Sequence, residues 1–167
     1  MASRNVRNKE AEIRAGLLEM GLQDSRYVAL YRRAAAVFGL GGCQMWILYY
    51  LAGAPDGLTQ RDIARRMAFP KQTVNSAVAK MQGDGLVALE SAEGSRKEKS
   101  VRLTDAGRAL AERTSQRLLG AEIRATGKLG VAKMREHNRI RSEYLGLRTE
   151  AFEADFLLTA GESGRER

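Results

Sequence analysis

Between Lys71 and Lys80 the chain places Gln72, Thr73, Asn75 and Ser76, with no acidic residue from Pro70 to Met81. Asn and Gln amides can bond two edge atoms of one adenine in the major groove. Small Ser and Thr side chains let a backbone come close, and Lys71 and Lys80 can reach phosphate oxygens. This chemistry needs a rigid element with one polar face and one anchored face. Val74, Val78 and Met81 recur at i, i+4 and i+7, which predicts a helix with that second face turned inward. An ordinary solvated helix face more often alternates Glu with Lys or Arg. A second basic set, Arg96, Lys97 and Lys99, falls on a predicted hairpin tip, where it can approach a minor groove or its backbone. Glu98 dilutes that set, and a solvated tip is the competing reading.

The elements that position these residues are written in start and stop signals. Thr59 and Asp62 have capping-box spacing, and Leu58 and Ile63 occupy the staple positions around them. That predicts a helix to about Met67, a tight turn at Ala68-Phe69, and a second helix opened by Pro70 at its first position. Gly83 and Gly85 end it. Leu86 to Leu89 and Ser100 to Leu103 read as two strands around a turn at Glu93-Gly94-Ser95. Helix, tight turn, helix and hairpin over 57–104 make a winged helix-turn-helix.

Helical segments flank this lobe. Residues 1–23 read as a polar extension with a short amphipathic stretch, Glu10 to Met20, stopped by Gly21. A first firm helix is expected from Asp24 or Ser25, carrying the stripe Tyr27, Tyr31, Ala34 and Phe38. Glycines at 39, 41 and 42 break it before a short helix, Gln44 to Leu51. Thr104-Asp105 should cap one long helix to about Ala125. A last helix, Val131 to Leu158, carries Ile140, Tyr144, Leu147, Ala151, Ala154 and Leu158 at the spacing of a helix-packing seam. Residues 159–167 form a polar tail. The fold class expected is mainly α, with a two- to three-stranded β wing.

The net charge is +8, which points to an acidic partner. Residues 59–104 hold nine Lys or Arg against five Asp or Glu, so half of the excess sits in the lobe. A membrane-surface helix would set basic residues opposite Trp or Phe, and no segment has that pattern. The most apolar run, Met45 to Ala54, is too short to span a bilayer. The polar start lacks a secretory apolar region, and one cysteine and one histidine leave no material for disulfides or a metal centre. A reducing cytoplasm is therefore expected, with no metal and no cofactor. No nucleophile, base and orienter set and no phosphate-binding glycine loop is present, so no enzyme is expected.

Several residues carry two readings. Cys43 sits near a predicted helix N-terminus, which would lower its pKa, but a packed small residue is the preferred reading. Tyr27, Tyr31, Trp46 and Tyr50, with Tyr49, are either plain core or the lining of an aromatic ligand pocket. His137 reads as a solvated helix residue. Arg4 and Arg7 read as a frayed terminus rather than a minor-groove arm.

Four pieces in order, Leu58-Thr59-Gln60-Arg61-Asp62-Ile63-Ala64, Lys71-Gln72-Thr73-Val74-Asn75, Gly85-Leu86-Val87 and Leu103-Thr104-Asp105-Ala106-Gly107, resemble the MarR (multiple antibiotic resistance regulator) family. The resemblance spans about residues 24–158. It implies a homodimer whose dimerisation region is 24–56 and 105–158, with 57–104 as the DNA-binding lobe on a pseudo-palindromic double-stranded operator. It implies a recognition helix at 70–83, a wing at 91–99, and repression relieved by a small phenolic or hydrophobic effector. A winged-helix protein-interaction module that has lost operator binding is the alternative. Two departures stand out. Ser95 and Lys97 occupy the positions of an Asp-x-Arg wing signature, and Lys is the more flexible charge. Pro70 replaces a polar N-cap, which removes one phosphate contact.

Overall fold

The computed structural model describes residues 2–91 and 99–157. Among these, the order is α1 (Ala2–Val37), α2 (Gly42–Ala52), β1 (Leu58–Thr59), α3 (Gln60–Met67), α4 (Lys71–Gly83), β2 (Val87–Ser91), β3 (Lys99–Leu103), α5 (Asp105–Arg113), α6 (Ser115–Leu129) and α7 (Val131–Phe152), closed by a π-helical turn, Glu153–Leu157. The sheet is antiparallel with order β1-β3-β2. Leu58 pairs with Val101, and Val87 with Leu103. This is a winged helix.

The core lies between α2, α3, α4 and the sheet. Ile47, Leu48 and Leu51 of α2 meet Ile63 and Ala64 of α3, then Val74, Val78 and Met81 of α4. Val87, Val101 and Ala111 complete it. The expected inward face of α4 is therefore the buried one, with Val74 and Met81 at 0% exposure.

Four local expectations are corrected. α1 does not begin at Asp24 or stop at Gly21; it runs unbroken for 36 residues. A mid-helix glycine costs only about 1 kcal/mol, and i,i+4 side-chain pairs lie along the region, Arg14 with Glu10 and Gln23 with Glu19. Leu58-Thr59, read only as staple and cap, also forms the third strand. Pro70 is the N-cap of α4, not its first helical residue. The helix after Thr104 is not continuous to Ala125, because it breaks at Thr114, whose φ and ψ are −120° and −86°. There the Thr114 hydroxyl donates to the Leu110 carbonyl at 2.7 Å and Ser115 Oγ to that of Ala111 at 3.2 Å. Such back-bonding bends helices. Both side chains are fully buried, so these hydroxyls need those acceptors. Among the described residues, no single helix is long and apolar enough to cross a membrane.

The hairpin is fixed to α5 by Thr104. Its Oγ1 accepts from the Gly107 N–H at 3.0 Å and donates to the Gly85 carbonyl at 2.7 Å. This draws Gly107 onto the backbone of Leu86, where an added Cβ would lie 1.9 Å from the Leu86 carbonyl oxygen. Backbone cannot yield as a flexible side chain would. Gly107→Ala is therefore expected to destabilise the protein by about 3 kcal/mol. Gly83→Ala, whose methyl meets open space, should be neutral or mildly stabilising. Thermal unfolding of both variants checks this, and an unchanged midpoint for Gly107→Ala would refute the contact.

Candidate nucleic-acid interface

The lobe's polar surface begins at the start of α3. Thr59 caps that helix by accepting the Asp62 N–H at 3.1 Å, and its hydroxyl donates back to Asp62 Oδ2 at 2.7 Å. Arg65 closes the set at 2.9 Å from Asp62 Oδ1. The Thr59 hydroxyl bond, helped by the charges of Arg65, Arg61 and Arg66, outweighs desolvation and holds the Asp62 carboxyl below the ordinary range.

The turn from α3 to α4 is made without glycine. The Ala68 N–H donates to the Arg65 carbonyl at 3.3 Å and the Phe69 N–H to that of Ala64 at 3.1 Å. These two bonds are the Schellman pattern, with Ala68 at φ 49°, ψ 36° in the left-handed position that glycine usually fills. Phe69 packs on the core, and this apolar contact holds the turn closed. Pro70 follows, and its carbonyl accepts the Val74 N–H at 3.2 Å.

With Val74, Val78 and Met81 inside, α4 exposes Lys71, Gln72, Thr73, Asn75, Ser76 and Lys80. All six side chains expected from the sequence lie on one 13-residue helix, about 20 Å long. Its first turn holds no acidic residue, so the positive end of the helix dipole is uncompensated and suits an anion. Lys99 is exposed at the start of β3. Arg96, Lys97 and the turn at Glu93-Gly94-Ser95 lie outside the described residues. Arg61, Arg65 and Arg66 are exposed on α3 beside this helix. Sequence reasoning counted them as charge without assigning them to the site. Their signal was the i, i+4, i+5 spacing of three arginines on the helix that precedes α4.

The four aromatic residues also come together. Tyr27 donates its hydroxyl to that of Tyr31 at 2.9 Å, and Tyr31 stacks on Trp46 at 5.0 Å between centroids. Trp46 lies 5.4 Å from Tyr49 and 6.2 Å from Tyr50. Tyr50 donates to the Arg66 carbonyl at 3.4 Å, touching the last turn of α3. Tyr27 is exposed and the others are half-buried, so the group is a surface-reaching stack and not a sealed core. Cys43 is half-buried, and burial pushes its thiol up, opposite to the lowering expected from a helix N-terminus. His137 is exposed on α7. Among the described residues no cluster of three or more His, Cys, Asp or Glu could hold a metal.

The sequence profile of the MarR family matches residues 38–98. Over these residues the chain is similar to the MarR family. An HTH-type transcriptional repressor of Mycobacterium tuberculosis is 29% identical over 107 residues, which are 64% of this chain and 76% of the repressor. The fold matches a MarR family regulator from Neisseria meningitidis with a TM-score of 0.73 at 18% identity, covering 84% of this chain and 98% of that one. A crystal structure of a Mycobacterium tuberculosis MarR family protein in complex with salicylic acid matches at 27% identity and a TM-score of 0.51, over 74% of this chain and 94% of that one.

The Asp62 cluster gives a pH prediction. A carboxyl whose folded pKa is depressed stabilises the fold above its unfolded value, about 3.9, and loses that contribution as pH falls through the folded value. The unfolding midpoint of Asp62→Asn should lie below that of the unmodified protein at neutral pH, and the two should converge in strong acid. A constant gap across pH would refute the role of the charge.

Proposed function

We propose that this chain is a homodimeric, sequence-specific DNA-binding transcriptional regulator, acting as a repressor that a small phenolic or hydrophobic effector releases. One observation carries the reading. α4 buries its apolar face completely and turns six polar or basic side chains, with no acid among them, toward solvent. In this reading α4 is the recognition helix. Gln72 and Asn75 read base edges, and Thr73 and Ser76 allow close approach. Lys71 and Lys80 hold phosphates. Arg61 and Arg66 hold the adjoining backbone, as the first helix of such motifs does. Arg96, Lys97 and Lys99 serve as the wing.

The dimer supplies the second half-site. α7 has 22 residues and buries none of them. Ile140 and Leu147 on its seam are more than half exposed, and so are Ile13, Val28 and Leu30 on α1. Isolated helices gain most of their stability from packing, so a second copy covers these faces. The regions 24–56 and 105–158 make the dimer and 57–104 the DNA lobe. Two α4 helices then meet successive major grooves about 34 Å apart.

Tyr27, Tyr31, Trp46 and Tyr50 offer flat apolar faces and hydroxyls to an effector, and the salicylic acid complex of a relative supports an aromatic one. An effector that prefers another lobe arrangement shifts the population away from the DNA-competent form.

Selection from a randomised duplex pool at physiological salt tests this. An inverted repeat with half-sites about ten base pairs apart is expected. Gln72→Ala and Asn75→Ala should relax sequence preference. Lys80→Ala should weaken all duplexes alike and reduce the salt slope by about one. Retention of no common motif would overturn operator binding and leave a protein-interaction module. Equal losses of both kinds in every variant would overturn the division of roles.

A further inference from the structure

The last turn of α3 ends on a carbonyl that the following backbone does not satisfy. The Ala68 and Phe69 N–H groups close the turn on the Arg65 and Ala64 carbonyls, at 3.3 Å and 3.1 Å. Pro70 comes next and has no N–H to give. The Arg66 carbonyl is one of the four that a helix C-terminus leaves open, and the N–H groups of this turn are already spent elsewhere. The Tyr50 hydroxyl reaches it from α2, sixteen positions earlier, at 3.4 Å.

Tyr50 makes that reach from a fixed place. Its neighbour on α2, Leu51, is 3% exposed, and Ile47, three positions before it, is fully buried. The Tyr50 ring stands edge-on to Tyr49 at 5.7 Å and lies 6.2 Å from Trp46, which stacks on Tyr31 of α1. A ring packed against two others has few directions in which to point its hydroxyl. The turn it meets is one that needs holding. Ala68 lies in the left-handed region, which disfavours a residue with a Cβ. Such a turn opens more readily than one built on glycine. α4 begins at Lys71, so the backbone angles of 68–70 set the direction in which it leaves α3.

We propose that Tyr50 is a positioning residue for α4: its hydroxyl supplies the donor that the end of α3 lacks, and so holds closed the turn that aims α4. The consequence for operator binding rests on the regulator reading; the hold on the turn does not.

Residue-resolved amide hydrogen exchange of the full chain without DNA tests the hold. Tyr50→Phe removes only the hydroxyl, and loss of one long hydrogen bond corresponds to a change of a few-fold. The Ala68 and Phe69 amides should exchange about threefold faster or more, while the Gly107 amide, capped by Thr104 on α5, keeps its rate. Adding Ala68→Gly, which suits the left-handed position, should restore slow exchange at Phe69 in the Tyr50→Phe chain. On a duplex selected by the unmodified protein, Tyr50→Phe should lose about threefold in affinity with an unchanged salt slope, because no phosphate contact is removed. Unchanged turn amides would overturn the proposal. So would an equal acceleration at Gly107, which marks a general loss of stability. Faster turn amides with unaltered duplex affinity would overturn the aiming of α4. If the unmodified chain selects no duplex, the regulator reading fails, and the amide comparison still decides for or against the hold on the turn.

Discussion

The burial of one face of α4 is the constraint on which the rest of the molecule depends. Val74, Val78 and Met81 belong to the buried cluster, and their helix α4 packs against α2, α3 and β2. A helix anchored on three sides cannot rotate about its axis without pulling apolar side chains into water, at about 25 cal/mol for each Å² exposed. The same anchoring fixes the outward direction of Gln72, Thr73, Asn75 and Ser76. The base-edge reading proposed for them needs such fixed directions, because a side chain on a loose element would lose in ordering entropy what it gained in hydrogen bonds.

The connections that hold α4 in place use backbone economy. Ala68 accepts a left-handed conformation, which costs of order 1 kcal/mol for a residue with a Cβ, and Phe69 in the core offsets that cost. At the other end, Thr104 serves as cap and tether together, and Gly107 allows α5 to rest on the Leu86 backbone. The start of β2 and the end of β3 are thereby tied to the first turn of α5. Ser100 Oγ, donating to the Asp56 carbonyl at 3.1 Å, ties the third strand's entry loop to the same hairpin.

Outside the lobe the helices obey another logic. α1 and α7 are long, and they carry apolar residues at helix-packing spacing that their own chain leaves exposed. Local pairs such as Arg139 between Glu136 and Glu143 support α7, but surface pairs contribute little individually. These are the faces that the proposed second copy covers.

The sequence by itself determined the lobe. Caps at Thr59 and Thr104, the stop after Met67 and the two-residue alternation of the hairpin are local signals, because each rests on bonds between residues a few positions apart. The inward stripe of α4 was legible for the same reason. Only the tertiary structure decided the rest. That Leu58-Thr59 would serve as a strand depended on Val101 and Ser100 arriving more than forty positions later. The length of α1 was hidden because a glycine's cost is small and the bonds that outvote it are many. The break at Thr114 sets two hydroxyls in the interior, and burial is not written in the pair Thr114-Ser115. The meeting of Tyr50 with the Arg66 carbonyl arises from the packing of α2 against α3, a long-range outcome.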